Sequence, residues 1–147
     1  MSNMRITDTL RAEHAIFLRV FDQIERALPS LTTPAEVRTM ADIVEGLLEG
    51  HARTETDVAY LALDHILEQN GELKRMHQEH HEIDERLRKV HKAGTCAEAR
   101  RLLRTALATT REHFRGEERN VFPLLERSLQ AETLRELGRD WARSQAA

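Results

Sequence analysis

The feature that most constrains the fold is a histidine and a glutamate four residues apart, His113 and Glu117, inside an apolar helical pattern. Residues four apart on an α-helix point within about 40° of each other, so the two side chains share one face. The apolar stripe of this segment passes through both positions, where a helix packs against a core. A buried, unpaired carboxylate is costly or becomes protonated, whereas a metal ion compensates its charge. The pair therefore indicates metal ligands.

The same pair occurs again at His51 and Glu55, on the apolar side of another long helical pattern. One polar pair on an apolar face has little weight, because a histidine in such a stripe is usually a satisfied core residue. Two pairs of identical spacing are unlikely to arise by chance and favour a common role for both. We therefore expect both pairs to face the same interior site.

Apolar residues spaced by threes and fours predict four long helices joined by short connections. We expect a first helix from about Ile6–Thr9 to just before Pro29, a second from Pro34 to about Gln69, a third from about Glu72 to Lys92, and a fourth opening at Thr95–Glu98 and kinked or ended by Pro123. Thr33 and Glu36 form a capping box for the second helix, and Asn70–Gly71 supplies its stop. A break after Glu55 stays open, because Thr56–Asp57 is a poor helix interior.

Such helices are most simply antiparallel neighbours, so the chain is predicted to be all-α, an up-down-up-down four-helix bundle. A last amphipathic segment, about Ala131 to Ser144, adds a short C-terminal helix. With 147 residues, the chain suits a single domain over 1–147 with a core at about 9–129.

Charge and composition exclude several classes of function. The formal net charge is −3, and the charges are interspersed, which gives no support for nucleic-acid or membrane binding. We expect neither a leader nor a membrane span. Cys96 is the single cysteine, so no internal disulfide forms and a reducing, cytoplasmic location is expected.

Each predicted helix contributes an inward polar group. The first carries His14, and the third carries His80 in its apolar register, with His77 bordering the core and His81 pointing to solvent. The ligand inventory is His14, His51, Glu55, His77 or His80 or both, His113 and Glu117. This set is too large for a lone tetrahedral zinc and too rich in imidazole for calcium or magnesium, but suits two iron or manganese ions bridged by carboxylates.

These residues resemble the hemerythrin-like, or HHE cation-binding, domain. The resemblance rests on Glu13–His14, His51-x-x-x-Glu55, Glu79–His80 preceded by His77, and His113-x-x-x-Glu117 followed by Glu118 and Val-Phe-Pro-Leu-Leu. It covers about Thr9 to Leu129. It implies a bundle with a non-haem di-iron centre in which histidines cap the two irons and two carboxylates bridge them with an oxo or hydroxo oxygen. Manganese or zinc are the expected substitutes.

Two departures from the family pattern matter. Oxygen-carrying hemerythrins usually have His-x-x-x-His on the third helix, whereas here His80 has the apolar register and His77 and His81 have the spacing. They also have an Asp five residues after the last histidine, where this chain has Glu118. Glu117 has the better helical geometry, and a role for Glu118 as a ligand requires a bulge in the helix.

The first hypothesis for function is a binding or sensing protein for dioxygen, nitric oxide or peroxide, with no other partner defined and a monomer or homodimer as its form. The alternative is a di-iron peroxidase or oxidase, in which the metals polarise bound peroxide. A third hypothesis is iron handling or iron sensing, with metal occupancy stabilising the bundle.

Overall fold

A computed structural model describes residues 3–62, 64–69 and 71–146. In this part of the chain the ordered elements are all helical, which confirms the all-α prediction. The α-helices are α1 (Ile6–Ala27), α2 (Pro34–Thr54), α3 (Asp64–Gln69), α4 (Glu72–Lys92), α5 (Cys96–Gly116), α6 (Phe122–Ser128) and α7 (Ala131–Ala146). A 3₁₀ turn at Leu28–Ser30 follows α1, and π-helical segments at Glu55–Tyr60 and Glu117–Val121 follow α2 and α5.

Two of the predicted helix starts show the hydrogen bonds of an N-cap. The amide of Glu36 donates to the Thr33 hydroxyl at 3.2 Å, and the amide of Thr33 donates to the Glu36 carboxylate at the same distance. The amide of Glu98 donates to the Thr95 hydroxyl, also at 3.2 Å. These bonds satisfy amides that have no partner within the helix, so α2 and α5 begin where the sequence places them.

Helices α1, α2, α4 and α5 form the antiparallel bundle. Helix α2 packs against α1, α4 and α5, and α5 packs against α1 and α4. Helix α7 lies along α1, and its Gly138 sits directly beside the backbone of Met4, where a Cβ atom would come within 2.2 Å of the Met4 carbonyl oxygen. None of the described helices is both long enough and apolar enough to cross a membrane.

The second predicted helix is shorter than expected. Helix α2 ends at Thr54, a π-helical segment replaces the next turn and a half, and α3 begins at Asp64, so the prediction of one helix to about Gln69 is wrong. The break after Glu55 that the sequence left open lies at this point. A π-helical turn holds one more residue than an α-helical turn, so it changes which side chains face the core. Gly71 adopts φ +71° before α4, and Asn70 lies outside the described residues.

The fourth predicted helix also contains a π-helical segment. Helix α5 ends at Gly116, and after Glu117–Val121 the chain continues directly into α6. Pro123 lies in the first turn of α6, directly after the π-helical segment, and without an amide hydrogen it donates no hydrogen bond to the preceding turn. The bulge that the sequence required for a role of Glu118 therefore exists, and it begins at Glu117.

The apolar interior is divided into two clusters. We call the cluster at the 3₁₀-turn end the lower core, and its largest members are Phe17, Phe21, Ile24, Leu28, Ile83, Leu87, Leu103, Leu107 and Phe114. The cluster at the π-helical end is the upper core, with Ile6, Leu10, Tyr60, Leu67, Met76, Val121, Phe122, Leu125 and Leu134. Along α1, His14 separates Leu10 of the upper core from Phe17 of the lower core. A layer of buried polar side chains therefore crosses the bundle between the two.

Candidate metal centre

The polar layer contains four histidines and two glutamates, contributed by all four helices of the bundle. Helix α1 provides His14, the last turn of α2 provides His51, α4 provides His80 and the last turn of α5 provides His113. Each π-helical segment begins with a glutamate, Glu55 or Glu117, and both glutamates are fully buried. In both His-x-x-x-Glu pairs, the glutamate is therefore the first residue after the α-helix, where the backbone changes from α-helical to π-helical.

The ligand atoms fall into two overlapping groups. His14, His51, Glu55 and Glu117 each place one nitrogen or oxygen within 4.8 Å of the others. His80 and His113 do the same with the same two glutamates. We call the first group the buried subsite and the second the outer subsite. Because Glu55 and Glu117 belong to both, the arrangement can hold two neighbouring cations that share two carboxylates.

The histidine pairs converge through their Nε2 atoms. The His14 and His51 Nε2 atoms are 3.0 Å apart in the buried subsite, and the His80 and His113 Nε2 atoms are 3.0 Å apart in the outer subsite. Two ring nitrogens that approach one point from different helices form a chelating pair. Each subsite therefore offers two imidazole ligands to a cation between the helices.

Three of these histidines are oriented by a carboxylate at the other ring nitrogen. The Nδ1 atom of His14 lies 2.9 Å from Glu118, that of His51 lies 2.8 Å from Glu13, and that of His113 lies 2.7 Å from Glu79. A proton held on Nδ1 leaves the Nε2 lone pair free for a metal ion. The outer carboxylates thus fix both the tautomer and the orientation that ligation requires.

Glu55 spans the two subsites with its two oxygens. Its Oε1 is 2.9 Å from Nε2 of His51, and its Oε2 is 3.2 Å from Nε2 of His80. The hydroxyl of buried Tyr60 donates to Oε2 at 3.2 Å. One carboxylate that faces a histidine of each subsite has the orientation of a bridging ligand.

Three of the four oxygens on Glu55 and Glu117 lack a hydrogen bond within the described residues. They are Glu55 Oε1 and both oxygens of Glu117. Nε2 of His51 lies close to Glu55 Oε1 and Nε2 of His113 lies close to Glu117 Oε1, but neither contact has the geometry of a hydrogen bond. Buried carboxylates without donors are strongly unfavourable, and a cation between them removes the penalty. The residues present therefore fit a metal pair, and the protein alone does not satisfy them.

Charges in the polar layer shift several pKa values. Burial, together with the neighbouring charge of Glu55, raises the pKa of Glu117 well above its ordinary range. Burial would also raise the pKa of Glu55, but the charge of neighbouring His51 holds it well below its usual value. The pKa of His14 falls to about 3 because the ring is buried and lies beside His51. The layer thus combines ionised and neutral groups at close range, as expected of a cluster built around cations.

Aromatic side chains close the buried subsite. The ring of Phe114 stacks on that of His14 with centroids 3.9 Å apart, and the ring of Phe122 also stacks on His14, with centroids 5.4 Å apart. The edge of Phe17 meets His51 at 5.4 Å. The side chain of His14 is 0% exposed, whereas that of His80 in the outer subsite is 17% exposed. The two subsites therefore have matching donors and different access to solvent.

Six of the seven residues predicted as ligands lie together in this layer, and His77 does not. His77 is exposed on α4 and belongs to neither subsite. Its ring is perpendicular to that of Tyr60, with the two ring centroids 6.5 Å apart. His81 and His65 are exposed, as the sequence indicated. The apolar register of α4 therefore located the inward histidine, and the four-residue spacing did not.

Sequence reasoning missed what Glu13, Glu79 and Glu118 do, although all three lie next to a predicted ligand. Glu13 and Glu79 immediately precede the histidines of α1 and α4, yet each bonds to the histidine of the neighbouring helix, His51 or His113. The available signal was the repeated Glu-His dipeptide. A glutamate that precedes an inward histidine points about 100° to one side of it, toward the neighbouring helix. Its carboxylate can therefore reach the histidine of that neighbouring helix.

A comparison with protein-family models matches residues 5–125 to a family described as Hemerythrin HHE cation binding domain. The matched range contains the whole polar layer and runs from the start of α1 to α6. Searches among curated proteins and among solved structures gave no match.

Proposed function

Because the chain belongs to the hemerythrin family of HHE cation-binding domains, we propose that its polar layer holds two iron ions and binds or senses dioxygen or a related small oxidant such as nitric oxide or peroxide. In this proposal His14 and His51 would hold one ion, His80 and His113 would hold the other, and both ions would share Glu55 and Glu117. Imidazole with carboxylate suits iron or manganese better than the all-oxygen sites of calcium and magnesium.

The observation that carries the proposal is the set of three buried carboxylate oxygens without hydrogen bonds between two converging histidine pairs. When bound, an iron pair supplies reversible redox chemistry and open coordination positions for a diatomic molecule or peroxide. The side chains around the site orient the ligands and shield the buried subsite. Glu13, Glu79 and Glu118 orient the imidazoles, and Phe114 and Phe122 keep water from the buried subsite.

Metal analysis of freshly purified protein, followed by optical spectra, tests this function. We expect about two iron ions per chain and an absorption change when the reduced protein meets oxygen that reverses under argon. Protein that holds no iron or manganese after purification and after anaerobic reconstitution would contradict the metal proposal. Irreversible oxidation on first exposure would remove reversible binding while leaving the metal assignment intact.

A peroxidase or oxidase is the second candidate, and Tyr60 is the observation that favours it. Its hydroxyl donates to Glu55, and burial together with the charge of Glu55 raises its pKa well above the ordinary value, so the phenol stays protonated beside the centre. A protonated phenol in this position would be a proton donor within reach of a peroxide substrate. Turnover of hydrogen peroxide above that of free iron, lost in Tyr60→Phe at unchanged iron content, would support this candidate. Turnover no faster than that of free iron would exclude it.

A further inference from the structure

Another group of metal-ligating side chains lies outside the polar layer, on the surface between α2 and α4. Asp42 and Glu45 stand one turn apart on α2, and His91 is in the last turn of α4. Each of the three offers one ligand atom, and these atoms lie within 4.8 Å of one another. Glu45 precedes His51 by six residues and His91 follows His80 by eleven. At 1.5 Å per residue the group is therefore about 9 to 16 Å along the helix axes from the polar layer.

The imidazole of His91 faces both carboxylates with the same nitrogen. Its Nε2 lies 3.0 Å from Oε1 of Glu45 and 3.4 Å from Oδ1 of Asp42. One ring nitrogen carries at most one hydrogen, so it donates to a single carboxylate, and that bond is the one with Glu45. A proton on Nε2 therefore satisfies only one of the two carboxylates, whereas a cation between the three atoms would be bound by both.

The separations of these atoms match those between two ligands of one metal ion. Nitrogen and oxygen ligands about 2.0 to 2.1 Å from a tetrahedral ion lie roughly 3.3 to 3.4 Å from each other. The distances from Nε2 of His91 to the two carboxylate oxygens, 3.0 and 3.4 Å, are close to this value. Binding of an ion therefore requires small changes of side-chain rotamer and no movement of either helix.

We propose that Asp42, Glu45 and His91 bind a divalent transition-metal ion of the zinc class, which ties α2 to α4 at the surface of the bundle. One imidazole and two carboxylates suit zinc, whereas calcium and magnesium take larger sets of oxygen ligands. Three protein donors leave the fourth tetrahedral position to water. This site does not depend on what the polar layer binds.

Helix packing holds the three donors in place. Val44 and Val90 precede Glu45 and His91 in sequence, and both valines are fully buried in the lower core. Their burial fixes the rotation of α2 and α4 about their own axes, so the neighbouring polar side chains emerge along the same edge of the helix pair. The backbone is thus ordered before an ion arrives, and binding does not bear the cost of ordering it.

Carboxylates and a helix end make the surroundings of the group negative. Asp84 lines a surface cleft together with Glu45 and His91, so a third carboxylate faces the same space. The carbonyl groups at the C-terminal end of α4, beside His91, carry partial negative charge. Asp42 and Asp84 are exposed, and an ion can therefore reach the group directly from solvent.

The cationic side chains of the same region do not occupy this position. Arg88 lines the cleft, but its guanidinium group is paired with Glu85. Lys89 and Lys92 share the last turn of α4 with His91, and they point about 160° and 100° away from it around the helix axis. The position between the three donors is therefore left to His91 and a cation.

Zinc stoichiometry tests the site in the full-length chain. All variants carry Cys96→Ser, so that no thiol competes, and bound zinc is measured after equilibrium dialysis against micromolar free zinc. His91→Ala should bind one equivalent less than the parent, and so should the double variant Asp42→Asn, Glu45→Gln. His65→Ala, at an exposed position on α3, is the matched control and should bind as much as the parent. Zinc held by the polar layer cancels in these differences.

Equal zinc content in the parent, His91→Ala and the double variant would overturn the site. A difference that appears only at millimolar zinc would overturn it as well, because a built site with three donors binds more tightly than scattered surface groups.

Chemical protection shows which histidine holds the ion. Diethyl pyrocarbonate acylates imidazole nitrogens that carry no metal, and mass spectrometry gives the rate at each histidine. Zinc should slow acylation of His91 about tenfold or more in the parent and change that of His65 less than about twofold. In the double variant Asp42→Asn, Glu45→Gln the protection of His91 should be lost. Equal rates at His91 with and without zinc would contradict the proposal.

Hydrogen exchange tests the tie between the two helices. Zinc should slow amide exchange of residues 88–92, at the end of α4, about threefold or more in the parent and should not slow it in His91→Ala. Zinc bound in the polar layer acts on both proteins, so the contrast reports the surface site alone. Bound and protected His91 with unchanged exchange would overturn the tie between α2 and α4.

Discussion

The buried and outer subsites have the same types of donor atom, but they differ in the side chains that surround them and in their exposure to solvent. Each combines two Nε2 atoms 3.0 Å apart with the shared carboxylates of Glu55 and Glu117. His14 lies under two phenylalanine rings with no exposed surface, whereas His80 is partly exposed at the end of a cavity. The two subsites therefore offer the same donors in different surroundings, one closed by aromatic rings and the other partly exposed.

The difference originates in the packing of neighbouring residues. Phe114 follows His113 in sequence, but its ring stacks on His14 and forms part of the lower core. On the other side of the layer, Ala52 follows His51 with the smallest side chain that has a Cβ atom, and the space beside it remains open. One large and one small residue next to two ligands thus close one subsite and leave the other accessible.

The largest effect is expected from loss of a shared carboxylate. Glu117→Ala removes oxygens from both subsites at once, so both ions should be lost, with affinity falling further than the 10- to 100-fold typical of an outer-shell change. Iron content after dialysis against a weak chelator measures this. Retention of one full equivalent would show that the two subsites do not share Glu117.

Loss of one histidine from each subsite tests whether the subsites are separable. His80→Ala should release the outer ion, while the buried subsite keeps its two imidazoles. His51→Ala should lower metal content strongly and begin with the buried ion. Iron stoichiometry and optical spectra of both variants check this. Simultaneous loss of both ions in His80→Ala would mean that the layer binds metal as one unit, which would break the comparison.

Outer carboxylates should have a smaller effect that acts through the ligands. Glu118→Gln keeps the size of the side chain but weakens the hold on Nδ1 of His14, so metal affinity of the buried subsite should fall about 10- to 100-fold. Competition with a chelator of known affinity gives the value. Glu136→Gln, at an exposed position on α7, is the matched control and should not change it.

His77→Ala should have the smallest effect. The side chain is exposed and lies outside both subsites, so iron stoichiometry should equal that of the unmodified protein. His81→Ala and His65→Ala should behave in the same way. A loss of one equivalent in His77→Ala would instead place a third imidazole on the outer ion.

The sequence predicted the fold and the inward histidines because both depend on periodicity. The apolar register of α4 selects His80 as the inward side chain, and the repeated His-x-x-x-Glu spacing selects Glu55 and Glu117. Each of these inferences concerns residues on one helix, where 3.6 residues per turn determines direction. The capping box of α2 and the N-cap Thr95 of α5 are local in the same sense.

The features that the sequence did not predict depend on how the helices pack against one another. That Glu13 bonds to His51 follows from the rotation and height of α1 against α2, which no local pattern encodes. The sequence also left open whether the helix bulges at Glu117, and the π-helical segment there is seen only in the folded chain. The cavity between α2 and α4 arises from the sizes of residues on two helices. Sequence therefore located the polar residues that face the interior, and only the assembled bundle distinguishes the two subsites.

The central claim is that two cations share Glu55 and Glu117 between two histidine pairs. Anomalous diffraction at the iron edge, from crystals of the full chain purified without chelator, tests it directly. We expect two peaks about 3.5–4 Å apart, one against His14 and His51 and the other against His80 and His113. A single peak, or peaks outside the polar layer, would contradict the account.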